Sequence, residues 1–269
     1  MDYFNNKVIW ITGASSGIGE ALAAALVKRK AKLILSSRKE DLLQKVKETC
    51  GQQFQENIKI LPLDLSNPET FSGLSEKAIQ YFGKIDILIN NAGISQRSFV
   101  QDTFLEVDRK LMEVNYLGTI GLTKTLLPHF LGRGNGHFVT ISSLTGKFGT
   151  PYRSSYAASK HALHGFFDSL RAELWRSSKD QIPVTLVCPG FVRTNLTLSA
   201  LTGDGSPLNK MDEAQYKGKS SEWCAVKIIR AIERRKEEVY IGGKEVLGVY
   251  LKRFFPLLFS KILRTAKVR

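Results

Sequence analysis

The chain has only three cysteines, Cys50, Cys188 and Cys224. They are far apart and odd in number, and none has a neighbour at zinc-ligand spacing. That excludes a disulfide framework and a sequence-legible metal site, and a reducing compartment is expected. No window holds about eighteen uninterrupted apolar residues, which excludes an ordinary transmembrane helix. The N-terminus, MDYFNNKVIWITG, has neither a basic leader nor a long apolar stretch. No secretory signal is read from it, and Asn195-Leu196-Thr197 is taken as a chance glycosylation sequon. Acidic residues are also scarce, 25 against 39 Lys and Arg, for a net charge of +14. Such a balance invites a nucleic-acid partner. The motifs that would support one, helix-turn-helix, zinc finger or ribonucleoprotein aromatics, are missing. The excess is also local: residues 227–269 carry twelve Lys or Arg against four Glu, +8 of the +14. A cytoplasmic protein with a basic C-terminal surface is expected, without nucleic acid.

Internal repeats, low-complexity segments and linkers are absent too. The 269 residues therefore suit one α/β domain spanning 1–269. Short Val/Ile/Leu-rich runs at 7–12, 32–37, 58–64, 85–93, 137–143 and 184–190 predict strands, with a last one at 238–242. Their nearly continuous apolar character is that of strands covered on both faces of a parallel sheet. Helical patterns fall between them, at 17–29, 39–49, 68–82, about 104–131 and about 153–177. Strand alternating with helix predicts βαβ units and a doubly wound, seven-stranded, mostly parallel Rossmann-like sheet with helices on both faces. Residues 195–218 lack a strong period and predict a long loop or lid.

The first strand runs into TGASSGIGEALAAAL. Glycines 13, 17 and 19, with Ser15, Ser16 and Ile18 between and beside them, stand where a strand meets a helix. Such a turn lets the backbone approach a pyrophosphate, and the helix start supplies free N–H groups. A P-loop and the ordinary G-x-G-x-x-G spacing are both absent. At the end of the second strand stands SSRKED, with Ser37 and Arg38 where an NAD site places a carboxylate. A guanidinium can grip a 2′-phosphate that a carboxylate would repel, so NADP(H) is preferred over NAD(H).

Tyr156 and Lys160 lie four apart in SSYAASKHAL, one helical turn from each other. Alone, the pair reads as a solvated helix surface. It belongs to a set, however: TGASSGIG (12–19), DL (64–65), NNAG (90–93), VN (114–115), ISS (141–143), YAASK (156–160) and PGFVRT (189–194) follow in this order. The whole resembles the short-chain dehydrogenase/reductase family in its compact single-domain branch, over about residues 6–243. The stretch SSLTGKFGTPYRSSYAASKHAL is nearest to the group of family member 7 and the 11β-hydroxysteroid-dehydrogenase-like enzymes. Those animal relatives usually carry an N-terminal membrane anchor; this chain starts about six residues before the first strand, so membrane residence is not carried over.

The resemblance implies roles for particular residues. Ser143, Tyr156, Lys160 and Asn115 match the catalytic set. Ser143 is chosen over Ser142 because it lies thirteen residues before the tyrosine, the family spacing. Lys160 is expected to lower the tyrosine pKa and to reach the nicotinamide ribose, and Asn115 to hold a water linked to Lys160. Asp64 and Leu65 would flank the adenine. Asn91, Ala92 and Gly93 would line a ribose. Pro189, Gly190, Val192 and Thr194 would bracket the carboxamide. His161 and His164 have no ligand spacing around them and are expected on the helix surface or at an interface. Cys188 is expected as a buried thiol.

The implied activity is an NADP(H)-dependent oxidoreductase acting on CH–OH donors, which interconverts a ketone and a secondary alcohol. A lipophilic substrate, steroid-, retinoid- or lipid-like, fits best, held by residues 94–103, 144–155 and 195–218. The alternatives are a β-ketoacyl thioester reductase and a cofactor-binding regulatory protein without turnover. Helices 104–131 and 153–177 would pair with symmetry mates into a homodimer or homotetramer. The tail 246–269 mixes aromatic and basic residues around Pro256. Core packing, a lip at the substrate entrance and peripheral contact with a membrane all remain open for it.

Overall fold

The computed structural model describes residues 2–265; residue 1 and residues 266–269, the end of the basic tail, lie outside the described residues. The strands are β1 (Val8–Thr12), β2 (Lys32–Ser36), β3 (Ile58–Ile60), β4 (Ile87–Asn90), β5 (Phe138–Ile141), β6 (Val184–Pro189) and β7 (Glu238–Ile241). They form one sheet in the order β3-β2-β1-β4-β5-β6-β7, and every pairing is parallel. The order reverses between β1 and β4. In a doubly wound sheet this opens a crevice at the C-terminal ends of those strands.

Residues alternate across the sheet as the strand period demands. Ile9, Ile11, Leu33, Leu35, Ile87 and Ile89 face one apolar core with Leu22, Leu26, Leu43, Ile228 and Ile232. Val8, Trp10, Ile34, Leu88 and Phe138 face the other, with Phe71, Leu122, Phe130, Leu163 and Phe167. The first core is covered by α1 (Gly17–Val27), α2 (Glu40–Thr49) and α8 (Ser221–Glu233). The second is covered by α3 (Phe71–Phe82), α5 (Thr119–Arg133) and α6 (Ser154–Ser178), with α4 (Leu105–Met112) leading into α5. Burial on both faces is why the strands read as continuous apolar runs.

Three elements differ from their predicted form. The regular strand β3 ends at Ile60, although Leu61 and Leu63 still donate to the carbonyls of Leu35 and Ser37, at 3.0 Å each. The helix expected over 104–131 is interrupted by a π-turn, Glu113–Gly118. The segment 195–218 is a packed cover rather than an open loop: Thr197 and Ala200 are fully buried, Leu201 bridges to Gln96 and Pro207, and a short helix α7 (Glu213–Tyr216) closes it.

The tail forms two helices, α9 (Leu247–Phe254) and α10 (Pro256–Thr265), with Pro256 opening the second. Proline suits a first helical position, where an N–H would be unbonded anyway. Val249 and Phe259 join Leu144, Phe148 and Cys188 in a third apolar cluster, with the Phe148 and Phe259 rings 5.1 Å apart. No helix among the described residues is long and apolar enough to cross a membrane.

Candidate active site

The turn after β1 is shaped by Gly13, whose φ of +64° side chains rarely adopt; a Cβ there would stand 2.7 Å from Ala92 Cα. Thr12 ties this turn to the end of β4, its Oγ1 accepting from the N–H groups of Asn91 (3.0 Å) and Ala92 (3.1 Å). The Asn91 side chain donates back to the carbonyls of Thr12 (3.0 Å) and Gly13 (3.1 Å). Ser16 precedes α1 in an extended conformation and its side chain makes no capping bond. The leading N–H groups of α1 thus lack a side-chain cap, and a Cβ at Gly17 would stand 3.0 Å from Thr194 Cγ2, closer than ordinary contact. A helix start without a side-chain cap, behind a glycine turn, suits a dinucleotide pyrophosphate.

At the end of β2, Ser36 is buried under Trp10, whose Nε1 donates to its Oγ at 2.8 Å, while Arg38 is exposed. Asp64 lies within electrostatic reach of Arg38. Burial pushes its carboxyl up, but the two hydrogen bonds from Ser66 and the charges of Arg38 and Lys110 win and hold it below the usual range. Leu65 is buried beside it. The end of β2 and the segment after β3 thus bring Arg38, Asp64 and Leu65 to one edge of the sheet.

Past β5, the two serines diverge. Ser142 is buried, donates to the Lys160 carbonyl at 3.3 Å and meets His164 Nε2 at 3.1 Å. Ser143 faces the other way; its Oγ accepts from the N–H and hydroxyl of Thr145 (3.1 and 2.9 Å) and hydrogen-bonds the Tyr156 side chain. Its hydroxyl also lies 3.5 Å from the carbonyl of Pro189, at the end of β6. Gly190 and Val192 follow there. Gly190 packs against Glu245, and Val192 is buried. Lys160 is 4% exposed, and its Nζ donates to the Ile141 carbonyl at 2.8 Å. Asn115 sits in the π-turn, accepting from Ile94 N–H at 2.8 Å and donating to Ile94 O and Ser159 Oγ. A π-turn re-aims the residues it carries, and such turns are frequent at functional sites. Gly93 lies against Asn115 and Lys160. The predicted residues thus converge along the open ends of β1, β4, β5 and β6.

The electrostatics differ from the sequence expectation. Burial pushes the Tyr156 phenol up; the Ser143 hydrogen bond and the charges of Arg97 and Arg153 pull it down. Lys160 is not among those influences: its ammonium is 5.9 Å from the Tyr156 ring centre and turned toward Ile141. Its own pKa is pushed down to about 8 by burial. The two arginines went unread in the sequence. Arg97 Nε and Arg153 Nη2 both bind Asp212 Oδ2, at 2.6 and 3.0 Å, and all three residues are buried. Asp212 belongs to the 195–218 cover, so the triad fastens that cover beside Tyr156. Gln96, also unread, holds the start of α6: its Oε1 accepts from Ser155 N–H at 3.1 Å. Burial also corrects the reading of His164, 7% exposed, because it lies one turn beyond Lys160 on the inward face of α6. His161 is exposed, as expected for the outer face.

The three segments assigned to substrate recognition touch one another. Ser98 N–H donates to Tyr152 O (3.1 Å), Arg97 N–H to Leu201 O (2.8 Å), and the Phe99 and Tyr152 rings are 4.3 Å apart.

Known proteins share this architecture. The family described as short chain dehydrogenase matches residues 7–204. The chain is 39% identical over 267 residues to dehydrogenase/reductase SDR family member 7B of Bos taurus, covering 97% of this chain and 81% of that one. It is 41% identical over 268 residues to dehydrogenase/reductase SDR family protein 7-like of Anopheles gambiae, covering 97% and 83%. Among solved structures, a short chain dehydrogenase/reductase from Burkholderia phymatum in complex with NAD superposes with a TM-score of 0.85, at 25% identity and 96% coverage of each chain. One from Burkholderia cenocepacia in complex with NADP gives 0.79 at 24% identity, covering 98% and 99%. With a family match over most of its length, a seven-stranded Rossmann-like sheet and relatives near 40% identity, the chain belongs to the short-chain dehydrogenase/reductase family of oxidoreductases.

Proposed function

We propose that the protein is an NADP(H)-dependent oxidoreductase that interconverts a ketone and a secondary alcohol on a lipophilic substrate. The observation that carries this reading is the Ser143–Tyr156 hydroxyl pair, backed by buried Lys160 and flanked by Arg97 and Arg153. A reduced nicotinamide held at this site would supply a hydride to the carbonyl carbon. Ser143 and Tyr156 hold the carbonyl oxygen, and the Tyr156 proton passes to it as the alcohol forms. Arg97 and Arg153 stabilise the phenolate left behind, and Lys160 and Asn115 complete the polar floor. Gly13 to Gly19 hold the pyrophosphate, Asn91, Ala92 and Gly93 the ribose, and Pro189 to Thr194 the carboxamide. Mixing the protein with NADPH and a panel of ketones, aldehydes and acyl thioesters tests the reading. Loss of the reduced-nicotinamide absorbance with an apolar ketone is expected; no loss with any member contradicts it.

Preference for NADP(H) rests on Arg38, with Ser37 in place of a carboxylate. Arg38→Asp is expected to weaken NADPH binding at least about tenfold while sparing NADH, because it turns a phosphate partner into a repulsive charge. Isothermal titration with both cofactors reads this, and unchanged NADPH affinity contradicts it. Support for a lipophilic substrate comes from Phe99, Val100, Phe104 and Leu105, exposed around the recognition segments. A cleft of about 430 Å³ in the 195–218 segment is lined by Leu208, Met211 and Tyr216 together with the charged Lys210, Asp212 and Glu213.

Two assembly properties belong to the same reading. The outer face of α6 carries exposed Ala158, Gly165 and Trp175, suited to pairing with a second copy as a homodimer or homotetramer. Light scattering at micromolar concentration reads this directly, and a monomer contradicts it. The tail exposes Leu247, Phe254, Phe255, Leu257, Leu258 and Ile262 among Lys252, Arg253, Lys261 and Arg264. Apolar insertion and charge attraction add at an anionic lipid surface. Salt-sensitive cosedimentation with phosphatidylserine vesicles is expected, weakened in Phe254→Ser/Leu257→Ser. No vesicle binding at low salt, or undiminished binding by the variant, contradicts this contact.

A further inference from the structure

Two turns beyond Tyr156 on the buried face of α6, three ligand-type side chains meet. His164 from α6, Cys188 from β6 and Glu238 from β7 each offer one donor atom, all within 4.8 Å of one another. They stand 24 and 50 residues apart in the chain, which is why no ligand spacing is visible in the sequence. Cys188 Sγ is 3.6 Å from His164 Nε2 and 3.7 Å from Glu238 Oε1, and His164 Nδ1 is 3.9 Å from that same oxygen. Tetrahedral zinc, with bonds of about 2.0–2.1 Å to nitrogen and oxygen and about 2.3 Å to sulfur, sets its ligand atoms roughly 3.3–3.6 Å apart. The Sγ–Oε1 separation is already close to that spacing, whereas Nδ1 lies 3.9 Å from Oε1 and within 4.8 Å of Sγ, so the side chains draw together by about half an ångström or more around a bound ion.

A second observation points the same way. His164 Nδ1 is buried and has no hydrogen-bond partner among the described residues. Buried ring nitrogens are normally satisfied, so this one is a donor atom in want of a partner. The other nitrogen, Nε2, lies 3.1 Å from Ser142 Oγ, which itself donates to the Lys160 carbonyl. Donation from Nε2–H to Ser142 fixes the tautomer and leaves the Nδ1 lone pair for a cation, as outer partners of metal-bound histidines do.

We infer that His164, Cys188 and Glu238 form a binding site for a thiophilic divalent cation of the zinc type. The Cys188 proton is released on binding and the thiolate becomes the soft ligand. Lys147 is the built-in competitor. Its Nζ is 2.7 Å from Glu238 Oε1, and the Tyr240 hydroxyl also bonds this carboxylate. A bound cation displaces the Lys147 ammonium. Lys147 sits in the 144–155 recognition segment, and Cys188 immediately precedes Pro189, so the site joins the catalytic helix to the substrate side of the sheet.

Cobalt titration of the reduced, metal-stripped full-length protein tests this. One equivalent of Co²⁺ per chain is expected, with a thiolate-to-cobalt charge-transfer band that Zn²⁺ abolishes. The band is expected to persist in Cys50→Ser and Cys224→Ser and to vanish in Cys188→Ser. Glu238→Gln, which preserves the side-chain shape, is expected to weaken binding at least about tenfold, and Lys147→Ala to tighten it. Absence of the band in the wild type, its survival in Cys188→Ser, or unchanged affinity in Glu238→Gln would each overturn the inference. Circular dichroism on each variant separates loss of the site from loss of the fold.

Discussion

Tyr156→Phe is expected to cut turnover at least about a hundredfold while leaving NADPH affinity within about twofold, since only the proton donor is removed. The ring is buried among protein atoms and a phenylalanine occupies the same volume. The lost hydroxyl leaves Ser143 alone on the substrate oxygen. Retention of more than about a tenth of the wild-type rate, roughly 1.4 kcal/mol of barrier, would mean that another group supplies the proton. The same residue sets a pH signature. Its phenol is held above the ordinary value of 10.0, first by burial, so it is protonated at neutral pH. Reduction therefore finds its acid ready at pH 7, whereas oxidation needs the phenolate and is expected to accelerate as pH rises.

Lys160→Met is expected to have two opposite effects. Turnover falls at least about a hundredfold and NADPH affinity at least about tenfold, because the buried ammonium proposed to reach the nicotinamide ribose is gone. Stability of the cofactor-free protein moves the other way in a pH-dependent manner. Burial lowers the Lys160 pKa from 10.5 to about 8. Between those values the unfolded chain binds more protons than the folded one, so wild-type stability gains with rising pH, by on the order of 3 kcal/mol across the window. The methionine variant lacks this gain. Its melting temperature relative to wild type is expected to be highest near pH 7 and to fall toward pH 10.5. A difference that stays constant over that range would show that Lys160 is not buried as a cation.

The parallel sheet was legible because its strands are covered on both faces, so Ile9, Trp10 and Ile11 are all fully buried and read as one apolar run. The glycine turn and the Tyr156–Lys160 pair were legible because their geometry is local. Other features depend on contacts that the chain makes only after folding. Arg97, Arg153 and Asp212 look like solvated charges in sequence, yet they close on one another over separations of 115 and 59 residues. The π-turn at Asn115 leaves the apolar helical pattern undisturbed, so the sequence reads straight through it. The sequence extends β3 past Ile60 because Leu61 and Leu63 continue the apolar run and keep their hydrogen bonds to β2. His164 was placed on a surface because helix position alone does not say which face turns inward.

The most direct test of the proposed chemistry is to follow the hydride itself. Incubating the protein with NADPH deuterated at the transferable position and an apolar ketone, then analysing the product by mass spectrometry, locates the transferred atom. The account predicts one deuterium on the carbinol carbon, with labelled alcohol formed at least about a hundredfold more slowly by Tyr156→Phe; unlabelled alcohol, or equal rates of labelled alcohol from both proteins, would contradict it.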